Sequence, residues 1–571
     1  MKTTHSVLSI GLIALVMLPA SAWGQTAARL AEIGPNDFRI TQMGADNDVD
    51  FDALDPAVAY NSTVGEFLVV WAGDDDVDGA FEIFGQRLDA TTGDNLGEAF
   101  RISDTGKSGA PAVAYNHTDN EFLVVWTGDD KEDGAFALFG QRLDAATGEK
   151  IGVGFQVADA PAVHPAAVYN DDQNQYFVVW RGEDEIHPRA AEIYGRRLDA
   201  ATGEAVGLNA IRISDMGAAD NDAAFDAYHP AVAYNDTKGE YLVLWEGDDD
   251  TASNVDNAFE IFGQRLDAAT GEAVGPNDFR LSDMGAADDD TAFGAHRPAV
   301  AYNDANAEYL VVWLGDDDSR TLTDNEYEIF GQRLDDAGKA VGPNDFRISV
   351  MGEAKNTAFA AASPEVTFNP VGEDYLVIWR GDHNRGALVE GEHEIYAQRI
   401  PGDLNAEAER ASEGFRLSDM GSADGNAAFD AVHPTVVYGP NATYFAVWSG
   451  DDDDAATDNE HEIYGQLIEA EAPLEVQELI EVPGEFLFSS AHPNPFSRST
   501  TFTLALKEAQ HIEISVYDML GRRVTTLYQG MVEAQQQRTF TFEAGSLPSG
   551  PYFIRAVGES FIDTQQVLLV R

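Results

Sequence analysis

The sequence predicts an all-β chain: a seven-bladed β-propeller of four-stranded blades, followed by a small immunoglobulin-like β-sandwich. Three observations predict it. A tryptophan closes a short apolar run seven times, at Trp71, Trp126, Trp180, Trp245, Trp313, Trp379 and Trp448, with successive copies 54 to 69 residues apart. Three further short apolar segments recur around each copy in a fixed order. Polar turn residues separate them, so one period is four short strands, and strands apolar on both faces need a neighbouring sheet on each side.

Taken in chain order, the first segment is not part of the fold. "MKTTHSVLSIGLIALVMLPASAWG" has a basic start, a short apolar centre and the small-residue site Ala20-Ser21-Ala22, the pattern of a signal peptide covering 1–24. Next comes "NDFRITQMG" (36–44), a lone copy of the fourth strand placed before the first full repeat.

Each repeat of the propeller (25–468) then runs through strands A to D. Strand A is "PAVAYN" at 56, 111, 230 and 298, with looser copies at 165, 364 and 434; its small side chains suit a crowded axis. Strand B is the tryptophan run, as in "YLVLWEGDDD" (241–250), where five apolar residues meet water two residues later. The tryptophan is core, and the aspartates begin a solvent-facing loop. Strand C is "EIFGQRLD" at 82, 260 and 328, whose glycine leaves room for a neighbouring ring. Strand D is "FRISD" at 100 and its relatives at 211, 279, 346 and 415, after a turn such as "AATGEAVGPND". The seventh repeat lacks strand D. The lone copy at 36–44 fills that gap if the ring closes on itself, which removes two open sheet edges.

An acidic linker (469–490) leads to a change of composition. Residues 491–571 read as alternating strands of a sandwich and carry His492-Pro493-Asn494-Pro495-Phe496, "VYDMLGRRV" at 516–524 with Gly521 and Arg522, "LPSGPYF" at 547–553 and a closing "VLLVR". This region resembles the type A C-terminal sorting domain of the type IX secretion system of Bacteroidota and their relatives. The resemblance implies the type IX secretion machinery as a partner. It also implies export through the outer membrane of a Gram-negative cell, then release or anchoring at its surface.

Charge narrows the function. The chain holds 99 acidic against 35 basic residues, a net charge of −64. Such a surface repels nucleic acid and anionic lipid and attracts cations. No segment after the signal has the length of a membrane span. With no cysteine, disulfides and thiolate chemistry are excluded. The sorting region is nearly neutral, so the acidity belongs to the propeller.

Four candidate features follow. The aspartate runs after strand B (Asp74 and Asp76, Asp248 and Asp250, Asp316 and Asp318, Asp451 and Asp453) offer clustered hard oxygens for Ca²⁺, against the plainer reading of a solvated, salt-adapted surface. Second, His164, His229 and His433 precede the strand A proline and His296 stands one residue further back, which gathers them at one mouth of the ring. Third, Arg380-Gly381-Asp382 spells an integrin-binding tripeptide, but it arises from the Trp-x-Gly-Asp template. Fourth, departures from the template, Arg181, His187 and Arg189 or His383, Arg385 and His393, are where a unique catalytic constellation would lie. The expected function is a secreted or cell-surface binding or adhesion module for a glycan or protein. A carbohydrate-active propeller enzyme, glycosidase or polysaccharide lyase, is the alternative.

Overall fold

The computed structural model describes residues 30–44, 51–75, 79–104, 107–131, 133–159, 161–183, 191–217, 225–248, 258–285, 291–316, 325–352, 356–383, 388–402, 414–421, 425–451, 460–470, 486–489, 491, 494–496, 499–507, 510–532, 537–544, 547–558 and 561–570. The chain divides into two compact units, with residues 27–471 in one and 472–571 in the other.

The described residues of the first unit form seven four-stranded antiparallel sheets. Each innermost strand adjoins the next, and the last, Ala431–Tyr438, adjoins the first, Ala53–Asn61. The unit is therefore a closed propeller. Its seal is the predicted one: Leu30–Arg39 is the outer strand of the last sheet and pairs with His461–Ala470. The core lies between sheets. Phe177 and Val179 of the third pack with Trp245 of the fourth, and Phe445 and Val447 of the seventh pack with Phe67 and Trp71 of the first. The Phe67 and Phe445 rings stack at 4.6 Å, so the seam where the ring closes is built like the other seams.

Five of the seven repeat tryptophans are fully buried, and Trp126 and Trp180 are 3% exposed. The strand C glycines do make room for rings: a Cβ on Gly85 or Gly331 would stand 3.1 Å from the Phe100 or Phe346 ring, and one on Gly195 2.6 Å from Phe177. Blade six supplies the control. Ala397 occupies that position, and its opposite number Phe415 is 37% exposed.

Two expectations need correction. The outer strands begin earlier than "FRISD": Ala205–Arg212 and Ala273–Arg280 take in much of the supposed turn. A bulge makes this possible, with Gly275 at φ 82 and Asp278 at φ 45 absorbing the irregularity. The first aspartate of each run is also not in water. Asp74, Asp248, Asp316 and Asp451 are at most 2% exposed. Backbone N–H groups supply the polar contacts that let the carboxylates of Asp74, Asp248 and Asp316 be buried.

The second unit is a β-sandwich. One sheet holds Phe486–Phe488, Ser499–Leu506 and Gln537–Glu543. The other orders Arg523–Val532, Gln510–Asp518, Gly550–Val557 and Ile562–Leu569. Phe496, Phe502, Leu504, Ile514 and Ile554 are among the residues of its core.

Candidate functional site: the mouth of the ring

At the start of every innermost strand the register with strand B slips, leaving a bulge before the proline. The residue at each bulge is Asp55, Ala110, His164, His229, Arg297, Ser363 or His433. All seven sit in the left-handed region, with φ between 45 and 52. None is glycine. A side chain held there costs about 1–3 kcal/mol, and a residue before proline ordinarily prefers extended geometry. Seven innermost strands in a ring thus present seven side chains at one level. This level lies where strand B ends, since Leu54 pairs with Ala72 and Tyr228 with Glu246, one residue past each tryptophan.

The identities at these positions vary while the blades around them repeat. The position after the tryptophan varies too: Ala72, Thr127, Arg181, Glu246, Leu314, Arg380 and Ser449. Their contacts form a polar group. His164 stacks on His229 at 4.8 Å. His229 Nδ1 is 3.1 Å and His296 Nδ1 3.8 Å from opposite oxygens of Glu246, which also accepts the Arg297 N–H at 2.6 Å. Burial pushes the Glu246 carboxyl up, but the two histidines outweigh it and hold the group well below the usual carboxylate range. His433 Nδ1 is 2.9 Å from Asp55, whose carboxyl is lowered chiefly by that contact. Burial, then His229, Arg181 and Arg297, bring His164 down to about 4. The Arg181 guanidinium lies 4.5 Å over the Tyr228 ring, whose hydroxyl donates to Asp226 at 2.8 Å.

The predicted histidine cluster is therefore present, with one adjustment. His164, His229 and His433 hold ring positions, whereas Arg297 takes the fourth blade-specific one and His296 turns to Glu246. Sequence reading missed Arg297 and Asp55. The signal for both was the residue before the strand A proline, read in every blade and not only where it is histidine.

The aspartate runs play a different part. Asp74 accepts from the N–H of Asp52 at 2.8 Å and of Gly79 at 2.7 Å, and Asp316 from Gly294 at 3.1 Å and Asn325 at 2.7 Å. Asp248 accepts from Asp226 at 3.1 Å, and Asp451 is as deeply buried. The carboxylates of Asp74, Asp248 and Asp316 tie the loop after strand B to the start of strand A, and in blade seven the Asp451 N–H does so by donating to the Asp430 carbonyl at 3.0 Å. Asp76, Asp250, Asp318 and Asp453 lie outside the described residues, as do His187, Arg189 and Arg385. Among the described residues no three His, Asp or Glu side chains converge as a metal ion requires. Asp382 of the Arg-Gly-Asp triplet is 4% exposed and accepts from Ala360 and Gly391, so that triplet serves the blade. His383 is 3% exposed, and His393 stands 3.8 Å from Asp430.

In the sandwich, Asn494 works as a clamp. Its Nδ2 donates to the Gln566 carbonyl at 2.9 Å and its Oδ1 accepts from Leu568 at 2.8 Å, and the peptide to Pro495 is cis. Phe496 is 3% exposed. Gly521 takes φ 74 in a turn organised by Asp518, which also holds Arg522 at 2.8 Å. Met519 and Leu520 beside it are 70% and 73% exposed.

Comparison with known proteins separates the two units. No curated protein matches the chain. Solved structures with similar folds include the polysaccharide lyase Uly1 (TM-score 0.44, 11% identity, covering 73% of this chain and 90% of that one). They also include the β-propeller domain of the Trilobed protease from Pyrococcus furiosus (TM-score 0.39, 9% identity, covering 75% and 98%). A thermostable family-43 glycoside hydrolase scores 0.31 at 14% identity, covering 54% and 97%. Residues 490–570 match the family described as "Secretion system C-terminal sorting domain". The chain is thus a β-propeller that carries a type IX secretion C-terminal sorting domain, which implies secretion or attachment at the cell surface.

Proposed function

We propose that the propeller is an extracellular binding module and that its ligand, a glycan or a protein, enters at the ring of bulge residues. One observation carries this. Seven blades keep the same core, yet at one level they hold seven strained side chains of which five are Asp, His or Arg. Strain held in every blade, with chemistry that differs from blade to blade, fits a surface selected for contact with something else. The enzyme alternative needs one unique acid–base pair, and His433 with Asp55 is the pair it would use.

The test is an array of glycans and extracellular proteins probed with the full chain, with each hit also assayed for bond cleavage. Saturable binding without turnover is expected, and substitution of His229 and Arg297 should weaken it. Cleavage of a bound glycan would replace this reading with the enzymatic one. Binding that ignores both substitutions would move the site elsewhere.

A further inference from the structure

Most described arginines in this propeller are paired with a carboxylate. Arg39, Arg87, Arg101, Arg142, Arg212, Arg265, Arg280, Arg333, Arg347, Arg399 and Arg416 each lie within ion-pair distance of a carboxylate on a neighbouring strand. With 99 acids in the chain, such partners are abundant. Arg181, Arg297 and Arg380 at the mouth have none within 4.0 Å among the described residues; Arg196 and Arg197 in blade three lack one as well, but donate instead to the Val157 and Ala269 carbonyls. Arg181 and Arg380 each bury an Nε–H with no acceptor among the described residues. Burial lowers Arg380 from its ordinary value. Asp430 and Asp382 act on Arg380 only from beyond ion-pair distance; a partly desolvated guanidinium with no carboxylate in contact is costly, and its fork of donors matches a planar oxyanion. Arg297 is exposed, and it lies within electrostatic reach of Arg380, of His164 and of Asp55.

Apolar surface lies at the same mouth, beside His164, which Arg181 and Arg297 reach electrostatically. A cleft of about 430 Å³, lined by Phe81, Phe136, Val163, His164 and Lys107, opens beside His164. Its size is in the range that takes small ligands, roughly 300–1,000 Å³. Phe136 shows 37% of its surface there. Further round the ring, Phe259 packs 6.1 Å from Tyr228 and 5.5 Å from His296. Ring faces beside cations suit a ligand with an apolar C–H face and one acidic group. A net charge of −64 disfavours a uniformly charged polyanion at long range.

We propose that the mouth binds the carboxylate or sulfate of an acidic sugar within a mainly neutral glycan, with Arg297 and Arg380 holding the oxyanion. This deepens the binding-module reading and rests on it. The probes are an oligosaccharide ending in glucuronate, the same compound reduced to its neutral alcohol, a sulfated counterpart and an acidic peptide, each titrated calorimetrically into the full chain. The uronate or the sulfate should bind at least about tenfold more tightly than the neutral sugar, a difference of about 1.4 kcal/mol. Arg297→Gln with Arg380→Gln should erase that ratio by bringing the affinity for the acidic sugar down to that for the neutral one, in a chain that still unfolds cooperatively. Uronate against sulfate then identifies the natural group. Equal affinity for acidic and reduced sugars overturns the proposal, as does an Arg297→Gln, Arg380→Gln chain that keeps the preference. Binding of the peptide alone overturns the sugar assignment but leaves the binding module standing.

Discussion

The outer seam of each blade and the mouth of the ring use the same residue types to opposite ends. At the outer seam, the first residue of strand C is a buried glutamate: Glu82, Glu192, Glu260, Glu328, Glu394 and Glu462. It accepts from an arginine of strand D, from a Ser or Thr two residues further on, and in five blades from a methionine N–H, as with Arg280, Ser282 and Met284 on Glu260. Arg39, Thr41 and Met43 make the same set of bonds to Glu462 across the closing seam. Blade two lacks all of it, with Ala137, Gln156 and Ala158 at the three positions. At the outer seam, then, polar groups come and go as a set, because removing one strands the others. At the mouth they vary singly: Glu246 and Asp55 find histidines, while Arg181, Arg297 and Arg380 have no carboxylate in contact among the described residues. Polar groups that come as a set build the fold, and those that vary singly line the mouth.

The largest effect should come from breaking the seal. Deleting residues 25–44 removes an edge strand and leaves Glu462 buried without Arg39 or Thr41. Breaking a buried pair alone costs about 3–5 kcal/mol. Thermal unfolding should shift far down or lose cooperativity, and a truncated chain that melts like the intact one would contradict the closure.

Next in size, Glu260→Ala should cost a similar amount in urea unfolding. Adding Arg280→Gln and Ser282→Ala, which copies blade two, should recover much of the loss. Burial already raises Glu260 despite Arg280, so the intact set is no large net source of stability. A triple variant worse than the single one would mean the set does not act as a unit.

A smaller, pH-dependent effect sits in the innermost strand of blade six. Glu365 replaces the alanine of "PAVAYN", and burial alone raises its carboxyl to about 7 from the ordinary 4.5. Folding therefore favours its protonated form: that stability is complete below about pH 4.5 and is lost as pH rises through 7. Glu365→Gln should match the parent at pH 4 and exceed it at pH 8 by about 1 kcal/mol, since part of the residue still meets water. Equal curves at both pH values would show the carboxylate to be well solvated.

The smallest effect concerns calcium. Because Asp248 is committed to its loop, any cation site falls on the residues after it. Millimolar Ca²⁺ should raise the melting temperature slightly more than Mg²⁺ or NaCl of equal ionic strength, and Asp249→Asn with Asp250→Asn should remove the excess. If NaCl alone reproduces the shift, the runs are a salt-adapted surface.

Much of the fold was legible because it is written seven times. The tryptophans, the strand C glycines and the missing outer strand each recur or fail at a fixed place in the period. The left-handed residues were not legible, since His164 before Pro165 reads as extended by every local rule. Nor was the burial of Asp74, because aspartate runs ordinarily mean water, and here backbone N–H groups 22 residues before it and five after it make burial tolerable. The Glu–Arg–Ser set joins residues about 20 apart on different strands, but blade two was a clue, since all three letters change together there.

The seal has a consequence in time. Arg39 and Glu462 are 423 residues apart, so the bond between them is among the last that a growing chain can form. Blades can begin to condense as they emerge, but the ring locks only after strand C of its last blade has been made. Until then the strand at 30–39 has no edge to join. Closure therefore acts as a check on completeness: a chain cut short before residue 461 stays open and recognisably unfinished.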